Sequence, residues 1–142
     1  NKFGFLAALE ALRKLDSKTQ SNILKNVAKK SPKLANELKS QLFTMNDLQR
    51  INPQGIQLIV SLVNLEELTL CLINILPETL NYFCNALPNR RAAQIKEGIS
   101  QLGPQPLAKI EKAQKEFIDF IIELKNEGKI TIIEEFFNDP LV

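Results

Sequence analysis

The chain has 142 residues, a net charge of +2, two cysteines and no histidine. That length suits one domain or two small subdomains that bury about two-thirds of the unfolded surface. The absence of histidine removes the usual general base, metal ligand and near-neutral pH switch, and no Gly-rich phosphate loop or catalytic cluster is present. We therefore expect no enzymatic activity, no cofactor and no metal site.

Only five glycines and no long alternating apolar and polar runs argue against sandwiches and barrels, so the predicted class is all-α. Residues 1 to 50 hold ten Lys/Arg and four Asp/Glu, a net charge of +6. A basic end can attract nucleic acid or anionic lipid. Here the lysines are scattered without interleaved aromatic residues, so we favour a solvated face and expect no nucleic acid partner. No apolar run reaches the roughly 20 residues of a membrane span.

Three short amphipathic helices are predicted in residues 1 to 44. Asp16 and Ser17 can both cap the second helix, with Ser17 and Gln20 at capping-box spacing, and the third is expected to start at Ser31 and Pro32. None is stable alone at that length, so the three must pack together. The residues expected on their apolar faces are Phe5, Leu6, Leu9, Leu12, Ile23, Leu24, Val27, Leu34, Leu38 and Leu42.

A joint is predicted after the third helix, with residues 45 to 53 as a hinge. Large apolar residues alternate there with cap and breaker residues, and we expect no regular helix. A plain turn over a small satellite core fits the same residues equally well. The residues concerned are Phe43, Met45, Asp47, Leu48, Ile51, Asn52 and Pro53.

The most apolar stretch follows, and Asn64 and Pro77 divide it into helices that are expected to form the core. A helix from Pro77 to Leu87 is predicted to turn Leu80, Phe83 and Leu87 inward. Residues 88 to 102 then form a charged helix that ends at Gly103 and Pro104. Its apolar stripe is Ala92, Ile95, Ile99 and Leu102, and its charges off that stripe are Arg90, Arg91, Lys96 and Glu97.

A long helix is predicted after Pro106, with Gly128 as its C-cap. Its inner side is expected to carry Leu107, Ile110, Ala113, Phe117, Phe120, Ile121 and Leu124. The tail, residues 130 to 142, is expected to start extended, to end as a helical turn and to dock Phe136 and Phe137. Cys71 and Cys84 lack metal or redox spacing, so buried reduced thiols are favoured, with a disulfide left open.

The motifs around the charged helix carry a family resemblance. RRAAQIKEGISQLGP at residues 90 to 104 is followed by LAKIEKAQ and then by LKNEGKI. This order resembles the C-terminal domain of the flagellar motor switch protein FliG, where an Arg-Ala-Ala helix precedes Leu-Gly-Pro, Val-Glu-x-Ala-Gln and Leu-x-x-x-Gly-Glu-Ile. Residues Leu42, Phe43, Thr44 and Met45 resemble that family's Met-Phe-x-Phe hinge, with Leu and Met replacing its first and last members.

The resemblance implies an armadillo-like right-handed helical superhelix. Residues 1 to 44 would be a three-helix subdomain, residues 45 to 53 a hinge, and residues 54 to 142 a C-terminal subdomain of roughly six helices. It also implies a divergent paralogue in the rotor, or C-ring, of the bacterial flagellum, with roles in motility and chemotaxis. Such a protein would be cytoplasmic and peripheral, at the inner face of the bacterial inner membrane.

In the family, five charges are thought to face the cytoplasmic loop of the stator protein MotA. Transferred one at a time, only Arg90 and Glu97 keep their charge. The other three positions fall on Ile73, Gly98 and Pro106. The resemblance therefore implies a diluted stator-facing surface and a MotA contact that is weak or lost.

Other partners implied by the resemblance are FliM and neighbouring FliG-like subunits, with FliF reached through an N-terminal domain. The family's N-terminal and middle domains are not in this sequence, so we expect Asn1 to lie within a longer protein. The alternative hypothesis is a helical adaptor that uses the FliG scaffold in a polar or envelope complex.

Overall fold

The computed structural model describes residues 2 to 133, which form two compact units that divide between Phe43 and Thr44. Every regular element among these residues is a helix, which confirms the all-α prediction. Phe136 and Phe137 lie outside the described residues. The elements are α1 (Lys2–Arg13), α2 (Ser17–Lys30), α3 (Pro32–Leu42), a 3₁₀ helix (Met45–Arg50), α4 (Pro53–Leu62), α5 (Leu65–Cys71), α6 (Pro77–Asn85), α7 (Asn89–Gln101) and α8 (Leu107–Asn126).

Of the two residues predicted to cap α2, Asp16 and Ser17, the structure uses the first. Asp16 is the N-cap and accepts a hydrogen bond from the Thr19 N–H at 2.8 Å. This bond stabilises the carboxylate and lowers the pKa of Asp16. The predicted capping box was wrong because Ser17 already belongs to the helix and Gln20 Nε2 donates instead to the Leu12 carbonyl at 2.6 Å.

The first unit has a small leucine core. Leu9, Leu12, Leu24 and Leu38 are buried, with Phe5, Val27 and Leu42 packed against them. Three residues predicted to face this core were placed wrongly, since Leu6, Ile23 and Leu34 are 36% to 47% exposed. Short helices bury only a narrow stripe, and on α3 that stripe includes Ala35, which is fully buried.

A regular 3₁₀ helix occupies the predicted joint, so the expectation of no regular helix was wrong. Its start is fixed by Asp47, whose Oδ2 accepts hydrogen bonds from the Thr44 N–H at 2.7 Å and the Thr44 hydroxyl at 3.1 Å. Met45 and Leu48 are buried from this helix. Hydrogen bonds from Thr44 to the Asp47 carboxylate therefore stabilise the start of a short helix among residues whose types alone indicated a break.

Asparagine caps start the two apolar helices, as predicted. Asn52 Oδ1 accepts from the Gly55 N–H at 2.8 Å, and Asn64 Oδ1 accepts from the N–H groups of Glu66 and Glu67 at 2.9 and 3.2 Å. These caps interrupt the apolar run. No helix in residues 2 to 133 is long and apolar enough to cross a membrane.

The core of the second unit lies around α5, which packs against both α7 and α8, while α6 packs against α7 and the 3₁₀ helix. Phe83 is fully buried as predicted, and Leu80 is half-buried. Leu107 was placed wrongly: it is the first residue of α8, lies at the edge of the core and is 62% exposed. Other side chains with less than 2% exposure are Leu48, Ile51, Ile56, Ile59, Leu68, Leu72, Ile95 and Ile121.

The end of the second unit returns to its beginning. Gly128, with φ of +75°, ends α8 as predicted, and Ile132 then forms an isolated antiparallel bridge with Ile51. This extended start of the tail agrees with the prediction. The Tyr82 hydroxyl donates to the Ile51 carbonyl at 2.6 Å, so α6 also holds this point.

Both cysteines are free and buried, which confirms the favoured prediction of reduced thiols. Burial raises the pKa of Cys71 to about 12, helped by the nearby carboxylates of Glu67 and Glu116. Burial also raises the pKa of Cys84, against a smaller lowering effect of Lys96. Both thiols are therefore core hydrophobes and poor nucleophiles.

Replacing Phe83 by alanine should destabilise the second unit by about 3 to 5 kcal/mol, the usual cost of deleting a fully buried aromatic side chain. Urea unfolding followed by tyrosine fluorescence reports this unit, because Tyr82 is the sole tyrosine and tryptophan is absent. The control is Leu107→Ala, expected to change the free energy of unfolding by less than about 0.5 kcal/mol. A loss below about 1 kcal/mol for Phe83→Ala would contradict its place in the core.

The native chain should resist alkylation by iodoacetamide at pH 8. With a pKa of about 12, only about one Cys71 thiol in 10⁴ is ionised at that pH, and the thiolate is the reactive form. Mass spectrometry should show both thiols modified in urea and neither modified natively over the same time. Cys71→Ser and Cys84→Ser assign each signal, and rapid native labelling of Cys71 would disprove its burial.

Candidate functional site

Helix α7 carries the charges that the sequence placed at the candidate site. The helix runs from Asn89 to Gln101, one residue inside the predicted bounds at each end. Pro88 is the N-cap because its ψ of 147° is extended. Gly103 adopts φ of +64°, a left-handed conformation that ends helices. Proline and glycine therefore mark the start and the end of α7, as predicted.

The inner face of α7 anchors it to two neighbours, α5 and α6. Ile95 is fully buried at the centre of this face, while Ala92, Ile99 and Leu102 are half-buried around it. This is the predicted apolar stripe. Its burial leaves the opposite side of the helix exposed, which fixes the side on which a partner protein can bind.

Arg90 and Glu97 lie on that opposite side. Seven residues are two helical turns, a rise of roughly 10 Å, so the two charges share a face without pairing directly. Both side chains are exposed. Glu97 Oε1 accepts a hydrogen bond from Gln101 Nε2 at 3.2 Å, and no hydrogen bond or ion pair of Arg90 occurs among residues 2 to 133. The face presents one positive and one negative site to solvent.

The three uncharged family positions lie on different elements. Ile73 is half-buried in the turn between α5 and α6, and Pro106 is exposed as the N-cap of α8. Gly98 belongs to α7 itself but lies at its flank, half-buried against α5. The structure thus puts only Arg90 and Glu97 together as exposed charges on one helix face.

The flanks of α7 differ in what they meet. On one side Lys96 is close enough to Cys84 of α6 to oppose the burial effect on the pKa of that thiol. On the other side Gly98 faces Thr69 of α5, so closely that a Cβ at Gly98 would be 2.8 Å from Thr69 Cγ2. Packing against α6 and α5 therefore limits which side chains the two flanks of α7 can carry.

Thr69 is a residue that the sequence analysis missed. It is 4% exposed, and its hydroxyl donates to the Glu66 carbonyl at 2.8 Å. The available signal was a lone threonine inside an apolar helix, three residues after a carbonyl that it can bond. Its contact with α7 has no sequence signal, because it depends on how the two helices pack.

A groove of about 400 Å³ between α5 and α8 was also missed. Leu70, Phe117 and Phe120 contribute apolar side chains to it, and Lys112 and Glu116 lie at its edge. The lysine and the glutamate are 4.0 Å apart and both are well exposed, so their ion pair adds little stability. The sequence assigned the apolar members to the core and the charged ones to the surface, which does not reveal a groove, and it placed Leu62 wrongly, since this lining residue is 53% exposed.

The predicted hinge residues occupy the point where the two units divide. Leu42 is the last residue of α3, and Met45 is the first of the 3₁₀ helix. Between them Phe43 and Thr44 are both extended, with φ and ψ of −74° and 135° and of −116° and 164°. Only two non-helical residues therefore link the helices.

Comparisons with known proteins agree on one family. A family model described as the FliG C-terminal domain matches residues 25–132. The flagellar motor switch protein FliG of Thermotoga maritima is 29% identical over 129 residues, which cover 91% of this chain and 38% of that protein. FliG of Bacillus subtilis is 27% identical over 139 residues, 98% of this chain and 41% of that protein. The chain thus spans about two-fifths of the length of these curated relatives.

Solved structures give the same result. A crystal structure of Helicobacter pylori FliG, residues 116–343, matches with a TM-score of 0.72 and 25% identity, over 88% of this chain and 55% of that one. Full-length FliG from Aquifex aeolicus matches with a TM-score of 0.66 and 28% identity, over 90% of this chain and 40% of that one. The fold predicted from the family resemblance is thereby confirmed.

Proposed function

Because this chain belongs to the FliG C-terminal domain family of flagellar motor switch proteins, we propose that it acts on the rotor side of a bacterial flagellar motor with a reduced stator contact. Family membership makes it a motor switch protein domain, as the resemblance predicted. None of the matches described favours the adaptor alternative. The relatives are much longer than this chain. The partners of this chain and any part that it has in generating torque are therefore proposed.

The observation that supports a reduced contact is that, of the five family charge positions, only Arg90 and Glu97 carry an exposed charge, while Ile73, Gly98 and Pro106 contribute none. Exposed ion pairs are worth roughly 0.2 to 1 kcal/mol each. Two such pairs supply about 2 kcal/mol at most, well short of the about 4 kcal/mol of a millimolar complex. The proposed partner of this face is the MotA cytoplasmic loop, bound weakly or not at all.

The remaining partners in the proposal are FliM and neighbouring FliG-like subunits, with FliF bound through another part of the protein. The proposed location is the cytoplasmic side of the inner membrane, at the flagellar basal body. Two observations support this: the relatives are named as flagellar motor switch proteins, and the described helices include none that could cross a membrane.

We also propose that Leu42, Phe43, Thr44 and Met45 act as a hinge between the units. The support is the division at Phe43 and Thr44 and the two extended residues between α3 and the 3₁₀ helix. The 3₁₀ helix belongs to the second unit, where Thr79 Oγ1 donates to Asn46 Oδ1 and accepts from Gln49 Nε2, each at 3.0 Å. Rotation is therefore expected ahead of Met45.

Titration of a MotA cytoplasmic-loop peptide tests the charge proposal. The unmodified chain should bind more weakly than about 1 mM at physiological salt. Ile73→Lys with Pro106→Arg should raise affinity about twofold to thirtyfold at low salt, and the gain should shrink as salt screens the added charges. Ile73→Gln with Pro106→Gln is the neutral control. Tight, salt-sensitive binding by the unmodified chain would overturn the proposal.

Spin-label distances test the hinge. With both cysteines replaced by serine, labels at exposed Lys25 and Lys112 should give a broad distance distribution, because they lie in different units. Labels at Glu78 and Lys112, both in the second unit, should give a narrow one. An equally narrow distribution for the first pair would mean that residues 42 to 45 do not act as a hinge.

A further inference from the structure

Helices α5 and α7 approach each other closely at Gly98. A Cβ at that position would lie 2.8 Å from Thr69 Cγ2 and 3.6 Å from Thr69 Cβ. Favourable contacts between carbon atoms are about 3.5 to 4.0 Å. Any side chain at position 98 therefore requires Thr69 to move, and the obstacle is a single methyl group.

Thr69 has little freedom to move. Its side chain is 4% exposed, and its hydroxyl donates to the Glu66 carbonyl at 2.8 Å. A β-branched side chain has few allowed χ1 rotamers in a helix, and rotation away from Gly98 would also move the hydroxyl off its acceptor. Close-packed interiors transmit such a displacement to neighbouring side chains. The space at Gly98 is therefore closed to a side chain as long as residue 69 is threonine.

We propose that Thr69 is the specificity-determining residue for the charge of α7, since it excludes an acidic side chain from position 98 beside Glu97. Thr69 is buried and acts through position 98 without touching a partner protein, so it is a positioning residue. The functional meaning rests on the proposed stator-facing role of α7. The consequence is that Gly98→Asp alone cannot restore the missing acidic site.

The helix itself does not favour glycine at this position. Glycine loses more conformational freedom on folding than alanine does and weakens a helix interior. Gly98 lies within α7, three residues after the fully buried Ile95 and hence near the same inner face. The tight approach to Thr69 is the feature that accounts for a glycine at this position.

Thr69→Ser is the matched change, because it removes Cγ2 and keeps the hydroxyl. The nearest remaining atoms to a Cβ at position 98 would then be Cβ and Oγ of residue 69, at 3.6 and 3.9 Å, which are ordinary contacts. Thermal unfolding of the 142-residue chain measures the coupling. With threonine retained, Gly98→Ala should lower Tm by about 3 °C or more, and in the Thr69→Ser variant it should leave Tm unchanged or raise it.

A second measurement, binding of the MotA loop peptide, tests the effect of a charge at position 98. In the Thr69→Ser, Ile73→Lys, Pro106→Arg variant, Gly98→Asp should strengthen binding of the MotA loop peptide about 1.5-fold to fivefold at low salt, and Gly98→Asn should not. The same Gly98→Asp change with Thr69 retained should lower Tm and add no affinity. The comparison of aspartate with asparagine separates charge from packing.

The outcomes keep the two proposals apart. If Gly98→Ala changes Tm equally in the threonine and serine backgrounds, Thr69 does not control position 98 and this inference fails. Measurable but equal binding by the Gly98→Asp and Gly98→Asn variants would also overturn it. If the Tm coupling is present but no charged variant binds the peptide, the stator-facing role of α7 fails, while the control of position 98 by Thr69 is supported.

Discussion

Burial of the seven-residue helix α5 between α7 and α8 is the packing arrangement on which the second unit depends. A helix of that length has no stability of its own, so its hydrogen bonds persist only while its neighbours cover it. Leu68 and Leu72 are 1% exposed, and Gln114 of α8 donates to the Cys71 carbonyl at 2.9 Å, satisfying an acceptor at the C-terminal end. The same helix places Thr69 against α7, so core packing and the charged face are determined together.

Much of the fold was predictable because its signals are local. Asn52 and Asn64 as caps, Gly128 as a helix end and the stripe around Ile95 each follow from side-chain chemistry or periodicity within a few residues. The errors arose where tertiary context decides between local options. Leu107 fits the helical spacing of the apolar residues, but it is the first residue of α8, where the neighbouring elements do not cover it.

The candidate site was likewise predictable where its signals are local and not where they depend on contacts between helices. Exposure of Arg90 and Glu97 follows from their position opposite the apolar stripe, and the family resemblance named the uncharged positions. The sequence could not indicate why Gly98 is small, since Thr69 is 29 residues away and their contact arises from the approach of two helices. Polar types at the joint likewise predicted a break, whereas the hydrogen bonds of Thr44 with Asp47 produce a 3₁₀ helix.

The bridge between Ile51 and Ile132 joins the residue after the 3₁₀ helix to the last residue of the second unit. Tension applied between residues 44 and 133 is therefore resisted first by this pairing and by the Tyr82 hydroxyl bond to Ile51. Helices α5 and α7 lie between residues 51 and 132 in the chain, so they carry none of this tension while the pairing holds. A domain tethered in this way can be pulled through its backbone without distortion of the surface that it presents.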